Sequence, residues 1–592
     1  MIDEYFVKIK NRMLIRSKEL WGIKDIKNID PILDLLLHTF SYEISKLHQQ
    51  IDLSDKEILH KLSRILVSNK WILPLPSHAL LKAQPEENIT ELKISDHFFC
   101  TKRRFGEKKL DVFFTPIIER KLINAAVKLI GYDTAFFFEN QFNEKERYFN
   151  LSDKERIKDY EFWFGIDISD SLLETIEDLS LCFTSKDNSL LPFLKTMQIF
   201  DVSGNSLNLS NEKLGGEGNA ETHYFNEVVS FYEDSFYNLK LATSNKTKKA
   251  VNELFSVDED IAEETKKLLW FKVRLPEVFS KEKISGIDVS LNTFPVVNRK
   301  LESKQHNFKK NGKILSILNG KENYFLNIEE LVDNNGNQYT NIIDTDTNVN
   351  KSEGSYSLYF GDIGRFDTRS AKMLLSKTFQ TVREEGSAFS AVGYDIIQAY
   401  LVDLHNKLDE ITKKIDTEFG DANMMNSGKT FLLTHPYKDA FNYEFKFWLT
   451  NADQANDIDR SHTFSQYKTG KFKDDSIVLK TPTLGGIIRE EEQDKINGLR
   501  YGLLTRERIV TREDAKSFVR NKIGDFIEDI TIKDGVMIAK EKKKGLARTT
   551  ELRIKTNDKL FSEERKELFS YYLEKELEKK SISNIIYKVF FI

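Results

Sequence analysis

The feature that most constrains this sequence is the change of hydrophobic period at Pro74-Leu75-Pro76. Before it, apolar residues recur every three or four positions, which is the spacing of one face of an α-helix. The first such stripe contains Ile2, Phe6, Ile9, Met13 and Leu20. After Pro76 the apolar runs are short, and each proline also moves the preceding residue out of helical space. We therefore predict an N-terminal helical region over residues 1–73, whose first stripe requires a partner surface.

Two more helices are predicted within this region. Asp30 and Pro31 are the residue types of a helix N-cap and first position. The apolar face that follows contains Leu33, Leu36, Leu37, Phe40, Ile44, Leu47 and Ile51. Ser54 and Glu57 form a capping box for a third helix.

Short strand-like runs dominate the next part of the chain. Residues 98–99, 112–114 and 135–138 are rich in phenylalanine and bounded by charged turns. Helices are expected between them at 117–130 and 169–178, and polar loops at 205–220, 334–337 and 344–352. This pattern predicts a β-rich α+β domain over residues 74–285 and a β subdomain over residues 286–390.

Helical spacing returns near residue 394. A heptad seam about three heptads long contains Tyr394, Ile397, Leu401, Leu404, Leu408, Ile411 and Ile415. Two interpretations remain open: a helix that joins an intermolecular bundle, or one amphipathic helix packed on its own domain. We assign residues 391–425 to this bundle helix and a hinge.

The remainder, residues 426–592, is predicted to be a C-terminal α+β domain. Thr511 to Asp514 cap a helix, and Asp534-Gly535 is a hairpin turn signal. A strand at 551–555, a helix at 562–579 and a strand at 585–591 complete the domain. The predicted fold class is thus multidomain α+β: an N-terminal helical unit, β-rich subdomains, a long heptad-patterned helix and a C-terminal α/β sandwich-like domain.

Composition excludes several functional classes. With 592 residues, 40% of them hydrophobic, the chain can build several folded domains. The 88 basic and 93 acidic residues nearly balance, so no general electrostatic attraction to nucleic acid is expected. Cys100 and Cys182 are too few for a disulfide framework, which fits a reducing cytoplasm. No apolar run approaches a membrane span, so we expect no direct membrane insertion.

The sequence contains only incomplete versions of nucleotide-binding and metal-binding motifs. Gly428-Lys429-Thr430 resembles the end of a phosphate-binding loop, but the glycine required five residues earlier is Asn423. The calcium-like run from Asp344 has Val349 where glycine is needed and Ser355 where the bidentate glutamate is needed. No histidine pair has the spacing of a helical zinc site. We predict no catalytic, cofactor-binding or metal-binding residues, and no enzyme.

The segment Ser290–Asn298, here called the signature segment, lacks a nucleophile or a strong acid or base. Its proline cannot donate a ladder hydrogen bond, so we predict an irregular or edge strand. Asn292, Pro295, Val296, Val297 and Asn298 resemble the Asn-x-x-Pro-Val-x-Asn pattern of the TssF family (also called VasA or ImpG), the baseplate wedge subunits of bacterial type VI secretion systems.

Two further segments are similar to the same family and occur in the same order. They are Trp71–Leu81, in which helices lead into a Pro-x-Pro-Ser strand, and Leu503–Asp514 near the C-terminal end. One departure is Arg299-Lys300, where many members carry Leu-Phe. The composition, rich in lysine, asparagine and phenylalanine, suits a divergent Bacteroidetes-type member.

The resemblance implies a structural role. In this family two copies of TssF join one TssG, and TssK holds the wedges around the spike hub to support sheath and tube assembly. The partners implied are TssG, TssK, a second copy of this chain, and spike or sheath components, in a cytoplasmic protein recruited to the apparatus docked at the inner membrane. The resemblance also implies a three-helix bundle, for which we select the seam from Tyr394 to Ile415. Ile2, Phe6, Ile9 and Met13 are further candidate interface residues.

Two alternatives remain. A phage-tail-like baseplate wedge protein would share the fold in another biological setting. A cytoplasmic hydrolase or nucleotide-binding enzyme would need a site that forms only in three dimensions.

Overall fold

The computed structural model describes most of the chain. The described residues are 2–21, 30, 32, 35–45, 47, 73–103, 109–140, 144–152, 155–215, 222–257, 267–276, 279–312, 314–317, 322–342, 353–360, 407, 430–489, 498, 501–502, 505, 508–523, 527–538, 545–556, 563–582 and 585–592. They form a multidomain α+β protein, which confirms the predicted fold class. The seam at 394–415 lies outside the described residues, apart from residue 407.

In the described part of the chain the longest helices lie toward the two ends, and shorter helices lie in the middle. They are α1 (Ile2–Trp21), α2 (residues 35–45), α3 (Asp170–Thr175), α4 (His223–Tyr232), α5 (Lys281–Ser285), α6 (Phe308–Asn311), α7 (Arg512–Ile523) and α8 (Glu563–Lys580). Short 3₁₀ helices lie at Asn188–Thr196, Glu233–Ser235, Thr243–Asn245, Val251–Glu253, Ala452–Ala455 and Asp474–Ser476.

Strands dominate the middle. The first half of the chain contributes β1 (His78–Lys82), β2 (Ile89–Leu92), β3 (His97–Arg103), β4 (Lys109–Pro116), β5 (Arg120–Ile123), β6 (Ala125–Tyr132), β7 (Ala135–Glu139), β8 (Lys145–Asn150), β9 (Glu161–Ile168), β10 (Asp178–Ser185), β11 (Gln198–Phe200), β12 (Leu209–Asn211), β13 (Phe236–Lys240), β14 (Lys248–Lys249), β15 (Leu268–Arg274), β16 (Ile287–Ser290) and β17 (Thr293–Asn298).

The second half contributes twelve more among the described residues. They are β18 (Lys300–Asn307), β19 (Ile314–Ile317), β20 (Tyr324–Asp333), β21 (Thr340–Asn341), β22 (Ser355–Phe360), β23 (Thr430–His435), β24 (Asn442–Thr450), β25 (Ser465–Tyr467), β26 (Val478–Leu479), β27 (Ile527–Ile538), β28 (Leu546–Thr556) and β29 (Ile586–Phe591).

These strands form several sheets. The central sheet has the order β25-β3-β4-β17-β1-β26, and two sheets next to it in sequence have the orders β12-β13-β10-β16 and β11-β15-β9-β6-β7-β8, with β14 on β15. Smaller sheets are β18-β24-β20, β19-β23-β22-β21 and β2-β5. The C-terminal sheet has the order β27-β28-β29, in which β28 and β29 are parallel.

Strands from distant parts of the sequence meet in the central sheet. β17 pairs antiparallel with β1 and with β4, and β1 also pairs with β26 almost 400 residues away. β17 follows the predicted domain boundary at residue 286, whereas its hydrogen-bonded partners β1 and β4 precede it. The division at that position stays a prediction, and the sheets themselves are shared across it.

The described residues form three hydrophobic cores that hold these layers together. The largest runs from the central sheet through the β10 sheet to α7, α8 and β28, and includes Phe294, Phe183, Phe518 and Leu573. A second lies between the β24 and β23 sheets, and a third surrounds Phe136 and Trp270. Because the C-terminal sheet and α8 share the largest core with the central sheet, the C-terminal unit is packed against the middle of the protein.

Two local predictions were wrong. Residues 117–130 form strands β5 and β6 rather than a helix. Asp534 and Gly535 lie inside the continuous strand β27, where they pair with Thr550 and Thr549, so the hairpin does not turn there. The predicted helices at 169–178 and 562–579 are confirmed as α3 and α8. Among the described helices none combines the length and apolarity needed to cross a bilayer.

Candidate functional site

The signature segment forms a central strand, which overturns the prediction of an edge strand. All six residues of β17 are buried, and the strand has partners on both sides. Its apolar members Phe294, Val296 and Val297 are fully enclosed in the largest core. The segment is therefore part of the protein interior and presents no reactive surface.

Pro295 is tolerated in a central strand because of where its missing N–H would point. The N–H of Asn298 donates to Ser77 O at 2.6 Å, on the β1 side of the strand. Alternation along a strand then directs position 295 to the β4 side, opposite Ile117, one residue beyond the end of β4. Ile117 N still donates to Pro295 O at 3.3 Å. The proline thus costs one hydrogen bond at the end of a ladder.

Asn292 shapes the entry to β17. Its backbone has φ 55°, a left-handed conformation that asparagine adopts more readily than most residues. Its side chain accepts from Ile123 N at 3.0 Å and donates to Ile123 O at 2.7 Å and to Ala125 O at 3.0 Å. Asn292 therefore ties the turn before β17 to the junction of β5 and β6.

Asn298 joins three parts of the chain. Its side-chain amide donates to Phe113 O in β4 at 2.9 Å. Its side-chain oxygen accepts from Thr450 Oγ1 at 2.8 Å and from Asn451 N at 2.7 Å, at the end of β24. Because the side chain is fully buried and its groups are bonded within the protein, Asn298 acts as a polar connector.

Arg299, the departure from the family pattern, is a buried cation beside this connector. Its guanidinium carbon lies 4.0 Å from the centre of the Trp448 ring and 4.8 Å from that of Phe225. It donates to Thr115 Oγ1 at 2.5 Å and to Pro116 O at 3.2 Å. Within the described part of the chain no carboxylate forms an ion pair with it. The charge is stabilised by aromatic faces, each worth up to about 2 kcal/mol when water is excluded.

His97 completes this junction as a neutral ring. Burial is the main reason that the pKa of His97 lies below its usual range, and the nearby positive charge of Arg299 lowers it further. Its Nε2 accepts from Leu301 N at 3.3 Å, so Nδ1 carries the proton and donates to Ser95 O at 2.7 Å. The ring also stacks on Trp448. Both nitrogens are occupied, so His97 is not poised as a general base.

A buried ion network connects three sheets nearby. Lys480 is almost fully buried and pairs with Glu139 at the end of β7 and with Asp288 in β16, the latter at 3.0 Å. Lys82 in β1 lies 3.1 Å from Glu139. Burial alone would raise the pKa of Asp288, but Lys480 and Lys145 overcome this and hold it at about 2. No sequence pattern indicated this network, since its members are far apart in the chain.

The described residues offer no arrangement typical of catalysis. They contain no group of three or more histidine, cysteine or acidic side chains that could hold a metal ion. One cavity of about 460 Å³ is lined by Cys100 and His462, but burial raises the pKa of the Cys100 thiol to about 12. Such a thiol is not an activated nucleophile at neutral pH. Thr430, the last residue of the incomplete phosphate motif, begins strand β23, whereas a phosphate loop leads into a helix.

The predicted N-terminal stripe faces inward toward α2. The Phe6 ring lies 4.7 Å from that of His38, and Ser41 Oγ donates to Met13 Sδ at 3.3 Å. Ile9 is buried and Phe6 and Met13 are half-buried, while the side chain of Ile2 is outside the described set. The stripe thus has an intramolecular partner, and its role in an intermolecular interface stays a prediction.

The solvent face of the second helical segment carries a different apolar stripe. Ile32, Leu36, Phe40 and Leu47 are between 48% and 69% exposed, and Leu35 is 67% exposed. The first three are spaced four residues apart, so they lie on one helix face. The predicted apolar face included Leu36, Phe40 and Leu47 but not Ile32 or Leu35, and the sequence did not show which side is exposed. We call this set the α2 stripe.

The seam of Tyr394, Ile397, Leu401, Leu404, Leu408, Ile411 and Ile415 lies outside the described residues. Its proposed interface role therefore stays a prediction.

Comparison with solved structures finds a similarity to a secretion-system baseplate complex. The chain is similar to a chain in a cryo-electron microscopy structure of the type VI secretion system TssK-TssF-TssG baseplate subcomplex, with 10% sequence identity over 95% of this chain and 96% of that chain. The TM-score is 0.45, which by itself establishes no shared fold. No protein-family model matches the sequence, and no curated protein does.

Proposed function

We propose that this chain is a non-enzymatic structural subunit of the baseplate of a contractile injection system, of the type VI secretion class. The α2 stripe carries the proposal, because a folded protein does not usually leave a row of large apolar side chains in water without a partner. The family pattern around Asn292, Pro295 and Asn298 indicates the kind of assembly.

The geometry of the signature segment is consistent with a structural role. Asn298 and Arg299 direct their polar groups to neighbouring strands, and the residues of β17 are buried. A side chain that is fully bonded inside the protein cannot also bind a substrate. The segment therefore fits an element that fixes the relative positions of β4, β17 and β24.

The α2 stripe fits a helical partner. Positions 32, 36, 40 and 47 follow the spacing of a helix face that packs into another helix. The inward side of α2 already contacts α1 through His38 and Ser41, so an added helix would complete a three-helix bundle. We propose that this helix comes from a TssG-like subunit, with the seam at 394–415 as a second contribution from this chain.

Co-expression with a TssG-like subunit tests this function. The double variant Leu36→Glu with Phe40→Glu places two carboxylates on the α2 stripe, which should abolish co-purification because neither charge can be paired in an apolar interface. Ile15→Glu is the matched control, since Ile15 is 59% exposed on α1, away from the residues that contact α2. The control should co-purify as the wild type does.

The seam is tested separately with Leu401→Glu and Leu408→Glu. Loss of the complex with retained solubility of the isolated chain would support its part in the bundle. If the α2-stripe variants and the seam variants all keep the complex intact, the assembly surface lies elsewhere and the proposal fails in this form.

A further inference from the structure

Strand β18 is an open edge of the sheet β18-β24-β20. β24 pairs with one side of β18, and among the described residues no strand pairs with its other side. Asn334 N donates to Asn442 O at 3.1 Å on the β20 side of β24, so the odd-numbered residues of β24 direct their backbone groups to β18. The register pairs them with the even-numbered residues of β18, as in Lys304 opposite Phe445.

The odd-numbered residues of β18 therefore direct their backbone N–H and C=O groups outward. At the start of the strand, Leu301 N confirms this direction by donating to His97 Nε2 of β3 at 3.3 Å. The next two outward residues, Ser303 and Gln305, are exposed. In the described part of the chain their backbone groups have no hydrogen-bond partner. The N–H and C=O groups of both residues are thus available to another strand.

The surface beside this edge is basic. Lys304 on β18 is exposed, as are Lys309 and Lys310 on α6, the helix that follows the strand directly. No acid within the described ranges forms an ion pair with any of these three lysines. Glu302 on the same strand is already paired, since its Oε1 lies 3.6 Å from Lys300 Nζ. Three lysine charges therefore lack a counter-ion next to the free backbone groups.

The two faces of β18 differ in charge. Side chains alternate along a strand, so Lys304 projects on one face and Ser303 and Gln305 project on the other. Ser303 Oγ donates to Glu444 Oε1 of β24 at 3.4 Å, which places a hydroxyl, an amide and a carboxylate on this second face. An incoming strand would thus meet a cation on one face and mainly neutral polar groups on the other.

We propose that β18 binds an extended acidic segment of a partner protein, which adds to the sheet as a fourth strand. Main-chain hydrogen bonds to Ser303 and Gln305 supply affinity, as in other cases of strand addition. Charge selects the partner, because opposite charges on adjacent strands attract and like charges repel. The bound segment carries acidic residues at alternate positions, on the face of Lys304. A second copy of β18 is disfavoured, because it would bring its own Lys304 to the same edge.

Two fluorescent hexapeptides test the proposal on the full-length chain. One alternates glutamate with threonine, and its matched control alternates lysine with threonine. The acidic peptide should bind, and the lysine peptide should bind roughly five-fold more weakly or not at all. Hydrogen exchange resolved to single residues should slow at the amides of Ser303 and Gln305. The amides of Glu302 and Lys304 already face β24, so their exchange should stay unchanged.

Two substitutions at one position test the backbone contact. Gln305→Pro removes an outward N–H and leaves the hydrogen bonds between β18 and β24 intact, since an edge strand accepts proline where its N–H faces solvent. This variant should bind the acidic peptide roughly five-fold more weakly or not at all. Gln305→Ala keeps the N–H and should bind as the wild type does. Circular dichroism and thermal melting verify that both variants are folded.

A charge reversal tests the choice of partner. Lys304→Glu should weaken binding of the acidic peptide roughly five-fold and should strengthen binding of the lysine peptide by a similar factor. Lys240→Glu is the matched control, because Lys240 is exposed at the end of β13 in another sheet. The control makes the same change in net charge and should alter the affinity for neither peptide.

Three outcomes would overturn the proposal. The first is absence of acidic-peptide binding to the wild type. The second is binding that Gln305→Pro and Lys304→Glu both leave unchanged. The third is self-association of Lys304→Thr, measured by mass photometry, without peptide binding, since Lys304 would then only protect the edge from other copies of the chain. None of these outcomes depends on co-purification through the α2 stripe.

Discussion

Removal of the Asn298 side chain should destabilise the junction of the central sheet more than an ordinary polar substitution does. In Asn298→Ala, Thr450 Oγ1 and Asn451 N lose their acceptor, and Phe113 O loses a donor. All of these groups are buried close to the missing side chain. A buried group left without a partner costs about 1–3 kcal/mol, so two stranded donors predict a loss of about 3 kcal/mol or more.

A double-mutant cycle isolates the bridge itself. Thr450→Val removes one of the two donors and also leaves Ala452 N without its acceptor, Thr450 Oγ1 at 3.0 Å, so it should cost about 2 kcal/mol or more. Each single variant removes the hydrogen bond between Thr450 Oγ1 and Asn298, and the double variant loses it only once. The combined cost should therefore be about 1 kcal/mol less than the sum of the single costs, within the range found for residues in contact.

The assay is equilibrium urea unfolding followed by tryptophan fluorescence, since Trp448 packs at this junction. The free energies of unfolding are compared between proteins with the same dependence on urea concentration, because an unchanged dependence shows that the unfolded state is unaltered. A loss below about 1 kcal/mol in Asn298→Ala, or costs that simply add in the cycle, would refute the role of Asn298 as a connector.

Buried groups give three further predictions. The pKa of Asp288 is about 2 in the folded protein, below its reference value of 3.8. The stability that its charge contributes is therefore present above about pH 4 and is lost as the pH falls to about 2. The difference in urea midpoint between wild type and Asp288→Asn should shrink over that interval. Gly486→Ala should lower the free energy of unfolding by about 1–3 kcal/mol, since its Cβ would lie 2.2 Å from Ala452 O, and an unchanged melting temperature would contradict this. Cys100 and Cys182 are buried with raised thiol pKa values, so a thiol reagent at about pH 8 should label them only in denaturant.

Local patterns predicted the elements that depend on local physics. The helix α7 follows from its cap, in which Thr511 N donates to Asp514 Oδ2 and Asp514 N donates to Thr511 Oγ1. The helix α8 follows from its length and its density of helix-forming residues. In both cases the decisive contacts lie within a few residues of one another.

The predictions were wrong where contacts between residues distant in the sequence determine the local structure. Pro295 is typical of an edge strand, yet its missing donor points beyond the end of β4, which only the register can show. Asp534-Gly535 is a turn signal, but pairing of β27 with β28 along its whole length overrides it. The role of Arg299 required Trp448, which is distant in the sequence and whose ring centre lies 4.0 Å from the guanidinium carbon. Residue type indicates a conformational preference, and tertiary packing selects among the options.

The mass of the purified assembly tests the central claim most directly. The chain is co-expressed with TssG-like and TssK-like subunits, and the purified material is measured by native mass spectrometry. The proposal predicts a stable complex that contains two copies of this chain for each TssG-like subunit. A chain that purifies alone as a monomer, with neither partner bound, would contradict the structural-subunit function.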